Sequence, residues 1–250
     1  GVVWSPSPKT SVRTGYGIFY AQDSTNPVFD MSRNIQGRIT AQNPGLTLAQ
    51  PYDGGATNPC GVRMPPQVCV TAPQVLGNQY DRPTPYVEQY LLNFQREVSA
   101  STSVEVGYFG SRGHRLQRFI SLNQPVPGTS TNILSRAPAP ELGNWQMIYS
   151  VGHSDYNALA AKLTRRLSNG FSGLVSYTYS KSMDNGSGLR SPGEQLKPQQ
   201  GDCWECENGR SVFDVRHRLT TSFIYEVPVG TGRKYLSQGG VLNALAGGWQ

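Results

Sequence analysis

The sequence predicts an all-β fold, an antiparallel transmembrane β-barrel represented by about six or seven strands of a larger one. Three observations predict it. Segments about as long as a tilted membrane strand, ~9 to 11 residues or somewhat more, alternate apolar and polar side chains. Their connections come in two sizes, tight turns alternating with long polar segments. The composition favours strands and turns over long helices, with 28 Gly, 18 Pro, 13 Tyr and only 15% charged residues in a chain of 250.

Taken in chain order, the alternating segments lie near 12–21, 86–98, 102–111, 155–168, 170–183 and 213–227, and a partial seventh begins at "GGWQ". In the second segment Tyr90, Leu92 and Phe94 oppose Gln89, Asn93 and Gln95, with Leu91 breaking the pattern. In the third, Val104, Val106 and Tyr108 oppose Ser103, Glu105 and Gly107. In "GFSGLVSYTYSKSMD", Phe171, Val175, Tyr177 and Tyr179 share one face and Ser172, Ser176, Thr178 and Ser180 the other, with Leu174 as the exception. In the last, Leu219, Phe223 and Tyr225 oppose Asp214, Arg216, Arg218, Ser222 and Glu226.

The short connections are "SAST", from Ser99 to Thr102, and "SNG", where Asn169 and Gly170 both tolerate positive φ. The long ones, near 22–85, 112–154 and 184–212, are rich in Gly, Pro, Asn and Ser. Tight turns at one end and long loops at the other describe an outer-membrane barrel, with turns towards the periplasm and loops outside. The alternative, a secreted soluble β-sandwich binding glycans or surfaces with Tyr and Trp as stacking platforms, fits the same alternation with its apolar face inward, but a sandwich more often places medium-length loops at both ends. Strand length, Tyr enrichment and loop asymmetry favour apolar-out, with Tyr in interfacial girdles.

Several function classes are excluded or disfavoured. No apolar run approaches the ~20 residues of a spanning helix. The opening "GVVWSPSPKT" has no starting Met, basic n-region or apolar h-region, so it does not read as a signal peptide. The net charge of +6 is carried by scattered residues without a dense Lys/Arg run, which disfavours nucleic acid as a partner.

"VRTGYGIFYAQ", "VEVGYFGSRGHRL", "YNALAAKLTRRLSNGFSGLVSYTYSKSMDN" and "FDVRHRLTTSFIYEVPVGTGRK", in this order, resemble the barrel of TonB-dependent outer-membrane receptors, in particular the Oar-like group that carries a carboxypeptidase-regulatory-like domain. The resemblance covers nearly all the chain from about Val12 onward, and "GGWQ" is similar to the start of that family's next strand. It implies a barrel of about 22 strands around an N-terminal plug. No plug, TonB box, regulatory-like domain or signal peptide is recognisable, so an internal fragment of that barrel is expected, in the outer membrane of a Gram-negative-type bacterium. The implied partners are outer-membrane lipid, an unidentified solute bound by the external loops, and an inner-membrane TonB complex reached through a missing N-terminal region.

No catalytic motif is present, and neither an enzymatic role, a cofactor nor a metal site is expected. His114, His153 and His217 are widely separated, and no H-E-x-x-H or G-x-S-x-G occurs. Asp214 and His217 are an odd number of positions apart, which in a strand puts them on opposite faces. "CWEC", Cys203 to Cys206, lies among Gly, Gln and acids rather than at the helix N-terminus that a redox C-x-x-C requires. As a metal site it lacks ligands beyond Asp202, Glu205 and Glu207. The four cysteines leave three connectivities open, and the local spacing favours Cys203 with Cys206 and Cys60 with Cys69. With the apolar faces towards lipid, Lys162, Arg166, Arg216 and Arg218 are expected in the lumen, where they would pair with acids or a plug, or steer an anionic solute. Trp145, Tyr149 and Trp204 are expected as loop aromatics.

Overall fold

The computed structural model describes residues 1–21, 74–140, 144–188, 198–235, 240, 241 and 245. Among the described residues nine strands form one sheet: β1 (Val2–Ser7), β2 (Thr10–Tyr20), β3 (Gln74–Asn78), β4 (Tyr86–Ser99), β5 (Thr102–Ser121), β6 (Asn144–Ser168), β7 (Phe171–Asp184), β8 (Gly209–Arg210) and β9 (His217–Tyr225). The order across the sheet is β1-β2-β4-β5-β6-β7, with β8 and β9 both beside β7 and β3 beside β6. Neighbours are antiparallel except β3 and β6, which run parallel. The sheet is not closed, since β1 and β9 do not pair with each other. The fold is therefore a partial antiparallel barrel.

Turns join Ser7 to Thr10, Ser99 to Thr102 and Ser168 to Phe171 at one end of the sheet. At the last of these, Asn169 and Gly170 adopt φ of 53° and 74°, as a two-residue hairpin turn matched to strand twist requires. The chain departs from the opposite end after Tyr20, Ser121 and Asp184.

Side chains of directly paired residues lie on one face, so the register can be followed across the whole sheet. The row Trp4, Val12, Phe94, Val106, Ala161, Tyr177 and Leu219 is apolar or aromatic from edge to edge. The neighbouring row on the other face, Ser11, Gln95, Glu105, Lys162, Ser176 and Thr220, is polar throughout. No second sheet covers the apolar face among the described residues. Leu159 is 52% exposed and Phe223 71%. A soluble sandwich would bury such residues in its core; here they meet the hydrocarbon of a bilayer.

On β6 the outward charges Asp155 and Arg165 bracket this band about ten residues apart, which at ~3.3 Å per residue and a tilt near 40° spans ~25 Å, the apolar height of such barrels. The compact packing lies beyond it. Leu76, Phe119, Ile120 and Ile148 are buried where β5 and β6 continue past the band and β3 joins the free edge of β6.

That continuation differs from the expected loop over 112–154, because β5 runs to Ser121 and β6 starts at Asn144. Register shifts between Gly113 and Leu116 and between Leu116 and Arg118, with Arg115 at φ 56°, insert bulges. Each bulge changes the parity of the strand, so a period-two pattern cannot be followed through it. Trp145 and Tyr149, expected in a loop, accordingly belong to β6. β1 is a further strand outside the expected set; it pairs antiparallel with β2 across the short turn between Ser7 and Thr10. The start of a strand expected at "GGWQ" lies outside the described residues.

Candidate functional site

The polar face combines a ladder of charged groups with an aromatic depression. Strand alternation sets the ladder. Asn93 on β4 donates through Nδ2 to Glu105 Oε1 on β5 at 2.7 Å, and the other oxygen of Glu105 lies 3.7 Å from Lys162 Nζ on β6. Nearer the tight turns, Arg166 Nη2 is 4.0 Å from Glu97 Oε1. Lys162 and Arg166 thus stand on the face opposite the apolar band and meet carboxylates across strands.

Arg218, opposite Thr178, is on the same polar face, and no ion pair joins it to another described residue. Arg216 is placed differently. It lies in the bend just before β9, its carbonyl accepts from the Ser180 amide at 3.0 Å, and its guanidinium lies 3.6 Å from Asp214 and 5.9 Å from the ring centre of Tyr179, an apolar-face residue.

Beside the ladder, Phe19, Leu91, Phe109 and Tyr156, with Gln89 and Ser111, line a depression of about 400 Å³. Gly15 and Gly17 contribute no side chains to fill it. These apolar groups sit on the polar face, so an apolar or aromatic moiety can bury surface against them while Gln89 and Ser111 offer hydrogen bonds. Sequence reasoning did not assemble this site, yet a signal was present. Leu91 is the residue that breaks the β4 alternation, and an apolar side chain out of phase marks an apolar patch within a polar face.

Above the band, on the side of the long connections, a polar knot holds the segment after β7. Asp184 accepts from the Gly186 amide at 3.0 Å and from Ser187 Oγ at 2.9 Å, and Ser187 Oγ accepts from the Val212 amide at 2.9 Å. Asn185, 0% exposed, bonds to both neighbouring segments: Nδ2 donates to the carbonyls of Val151 and Trp204, and Oδ1 accepts from the His153 amide at 2.9 Å. Arg118, 2% exposed, packs its guanidinium against Gly186, where any Cβ would collide with it. Burial pulls its pKa below the usual arginine value, while Glu207 and Asp184 pull it back up.

Cys203 and Cys206 form a disulfide around the 3-10 turn Trp204–Glu207, within this knot. Cys60 and Cys69 lie outside the described residues. The histidines stay apart: His114 stacks on Tyr86, His153 contributes its backbone to the knot, and His217 Nδ1 is 2.8 Å from Tyr177 Oη. Asp214 binds the Ser182 amide and Arg216 rather than His217. Among the described residues no cluster of His, Cys, Asp and Glu is arranged to hold a metal ion.

A family model described as an outer membrane beta barrel domain matches residues 1–250. No match was found among curated proteins or among solved structures.

Proposed function

For a chain that belongs to the outer membrane beta barrel domain family, we propose a role as part of the wall of a TonB-dependent receptor that takes up a solute. Its place is the outer membrane of a Gram-negative-type bacterium, with its apolar face against lipid. In the proposed role, the external segments bind the solute and the polar face lines its passage. Energy comes from an inner-membrane TonB complex that engages an N-terminal region beyond these residues. The role requires no covalent chemistry and no cofactor.

The observation that carries this reading is the polar face itself. On that face Phe19, Leu91, Phe109 and Tyr156 line a hollow that offers apolar surface within an otherwise polar wall. Such groups cost solvation when left facing water and gain when a partly apolar solute covers them. The order of the barrel motifs, which resembles TonB-dependent receptors, supports the energised form of the role.

The test is depletion of solutes from growth medium by the source organism, followed by mass spectrometry, with the gene intact, deleted, or carrying Phe109→Glu, each in cells with and without TonB. The expected result is a solute whose depletion requires both the gene and TonB and falls at least severalfold with Phe109→Glu. Depletion independent of TonB would overturn the energised role, and identical depletion with and without the gene would overturn uptake altogether.

A further inference from the structure

The apolar face ends, on the side of the long connections, in a rim whose charges are not balanced. On β7, Lys181 points outward, two positions beyond Tyr179 on the same face, and is exposed. Arg210 of β8 is paired with Met183, so it is the diagonal neighbour of Lys181 on that face, and it too is exposed. Neither makes an ion pair with another described residue. Arg216 brings a third cation to the same place by lying over Tyr179, and its Nε is buried without a hydrogen-bond partner. Two acids stand beside this group and both are engaged: Asp214 by the Ser182 amide and Arg216, and Asp155, which pairs with Met183 on the same face, by Arg112 at 3.2 Å.

Directly below these cations the surface turns aromatic. The His217 ring lies 5.1 Å from that of Tyr179, and His217 accepts or donates a hydrogen bond with the Tyr177 hydroxyl. Below that again come Leu159, Leu163 and Val175, all outward and exposed. The sequence along one line is therefore hydrocarbon, amphipathic rings, then cations. That is the order of an anionic lipid met from its acyl chains to its headgroup, because phosphate gains from unpaired cations where the local dielectric is already reduced.

We propose that the β7 rim, formed by Lys181, Arg210 and Arg216 above Tyr179, is a docking site for the phosphate headgroup of an anionic lipid in the outer leaflet. The site depends on the apolar face meeting the bilayer and not on solute uptake, so the two readings stand or fall separately. The lipid phosphate bridges Lys181 and Arg210, while its chains lie along Tyr179 and Leu159. Arg112 and Arg115, exposed at the same level on β5, extend the basic rim, but Arg112 is engaged by Asp155 at 3.2 Å and Arg115 by the ring of Tyr86.

The test uses the protein extracted from its native membrane and placed in nanodiscs of phosphatidylcholine containing spin-labelled phosphatidylglycerol or spin-labelled phosphatidylcholine. Electron spin resonance reads the fraction of each label immobilised at the protein. The native protein is expected to prefer phosphatidylglycerol, Lys181→Gln with Arg210→Gln to lower that preference by about fivefold per charge removed, and Arg210→Lys to retain it. Arg13→Gln, on the polar face, should retain it as well. A difference in gel mobility between unheated and heated protein, equal to that of the native chain, establishes that each variant is folded. Equal immobilisation of the two labels by the native protein, or an unchanged preference in the folded double variant, would overturn the proposal. Loss of the preference on adding millimolar inorganic phosphate at constant ionic strength would also overturn it, since the site would then hold soluble phosphate rather than lipid.

Discussion

Asn185 carries more structure than its size suggests. It has no exposed surface, and its amide satisfies the Val151 carbonyl and the His153 amide on β6 and the Trp204 carbonyl in the segment that follows β7. Replacing it by alanine leaves buried backbone groups without partners, at a cost of ~1–3 kcal/mol for each one that water does not reach. The expected outcome of Asn185→Ala is faster hydrogen exchange at His153 and through Trp204–Glu207, with β4 and β5 still protected. Uniform acceleration across the sheet would instead mean that Asn185 stabilises the whole barrel. Close contact also fixes residue identity on the apolar face, where the Tyr90 ring lies over Gly110 and the Tyr90 and Tyr108 hydroxyls both donate to Asn157 Oδ1, at 3.0 and 2.6 Å. These tyrosines keep their polar ends satisfied while their rings face lipid.

At the scale of elements, the hairpin between β6 and β7 is set by two residues. Gly170 sits at φ 74°, and a Cβ there would also lie 3.3 Å from the Glu226 carbonyl oxygen. Gly170→Ala is expected to cost ~1 kcal/mol and lower the urea midpoint of unfolding from liposomes, whereas Asn169→Gly should leave it nearly unchanged. Equal effects at the two positions would contradict the turn geometry. The long β5–β6 pair is a different kind of element. Its outer part carries its own small core around Ile120 and Ile148, so it stands as a rigid arm beyond the bilayer rather than as a loose loop. The segments that leave this pair on the side of the long connections are thereby anchored on a strand scaffold.

At the scale of the molecule, the two faces of the sheet meet two solvents, and neighbouring alanines offer a direct comparison. Ala161 pairs with Val106 and Tyr177 on the apolar face, and Ala160 pairs with Gly107 and Thr178 on the polar one. Ala161→Arg is expected to destabilise the liposome-inserted protein by ~2–4 kcal/mol, the cost of arginine near the bilayer midplane. Ala160→Arg, one residue away, should cost well under half as much because its side chain reaches the polar interior. Urea unfolding from liposomes measures both, and a reversed ranking would invert the assignment of the faces. The open edges at β1 and β9 belong to the same scale: unpaired backbone groups are costly in hydrocarbon, so within a membrane each edge has to be met by a further strand.

Much of this was legible in the sequence because strand alternation is a local property. Val104, Val106 and Tyr108 against Ser103, Glu105 and Gly107 fix two faces wherever the chain is extended, and Asn169-Gly170 fixes a hairpin through its own φ preferences. The family and its place in the outer membrane follow from such patterns in order. The tertiary structure decided what depends on pairing across strands. It joined Glu105 to Lys162 and Asn93, gathered Phe19, Leu91, Phe109 and Tyr156 from four strands into one hollow, and carried β5 and β6 through bulges that reset their parity. It also set the Arg216 guanidinium 3.6 Å from Asp214 and 5.9 Å from the Tyr179 ring centre, neighbours that a strand pattern does not announce. Local periodicity determines which face a residue takes within a strand; only register determines which neighbours it meets there.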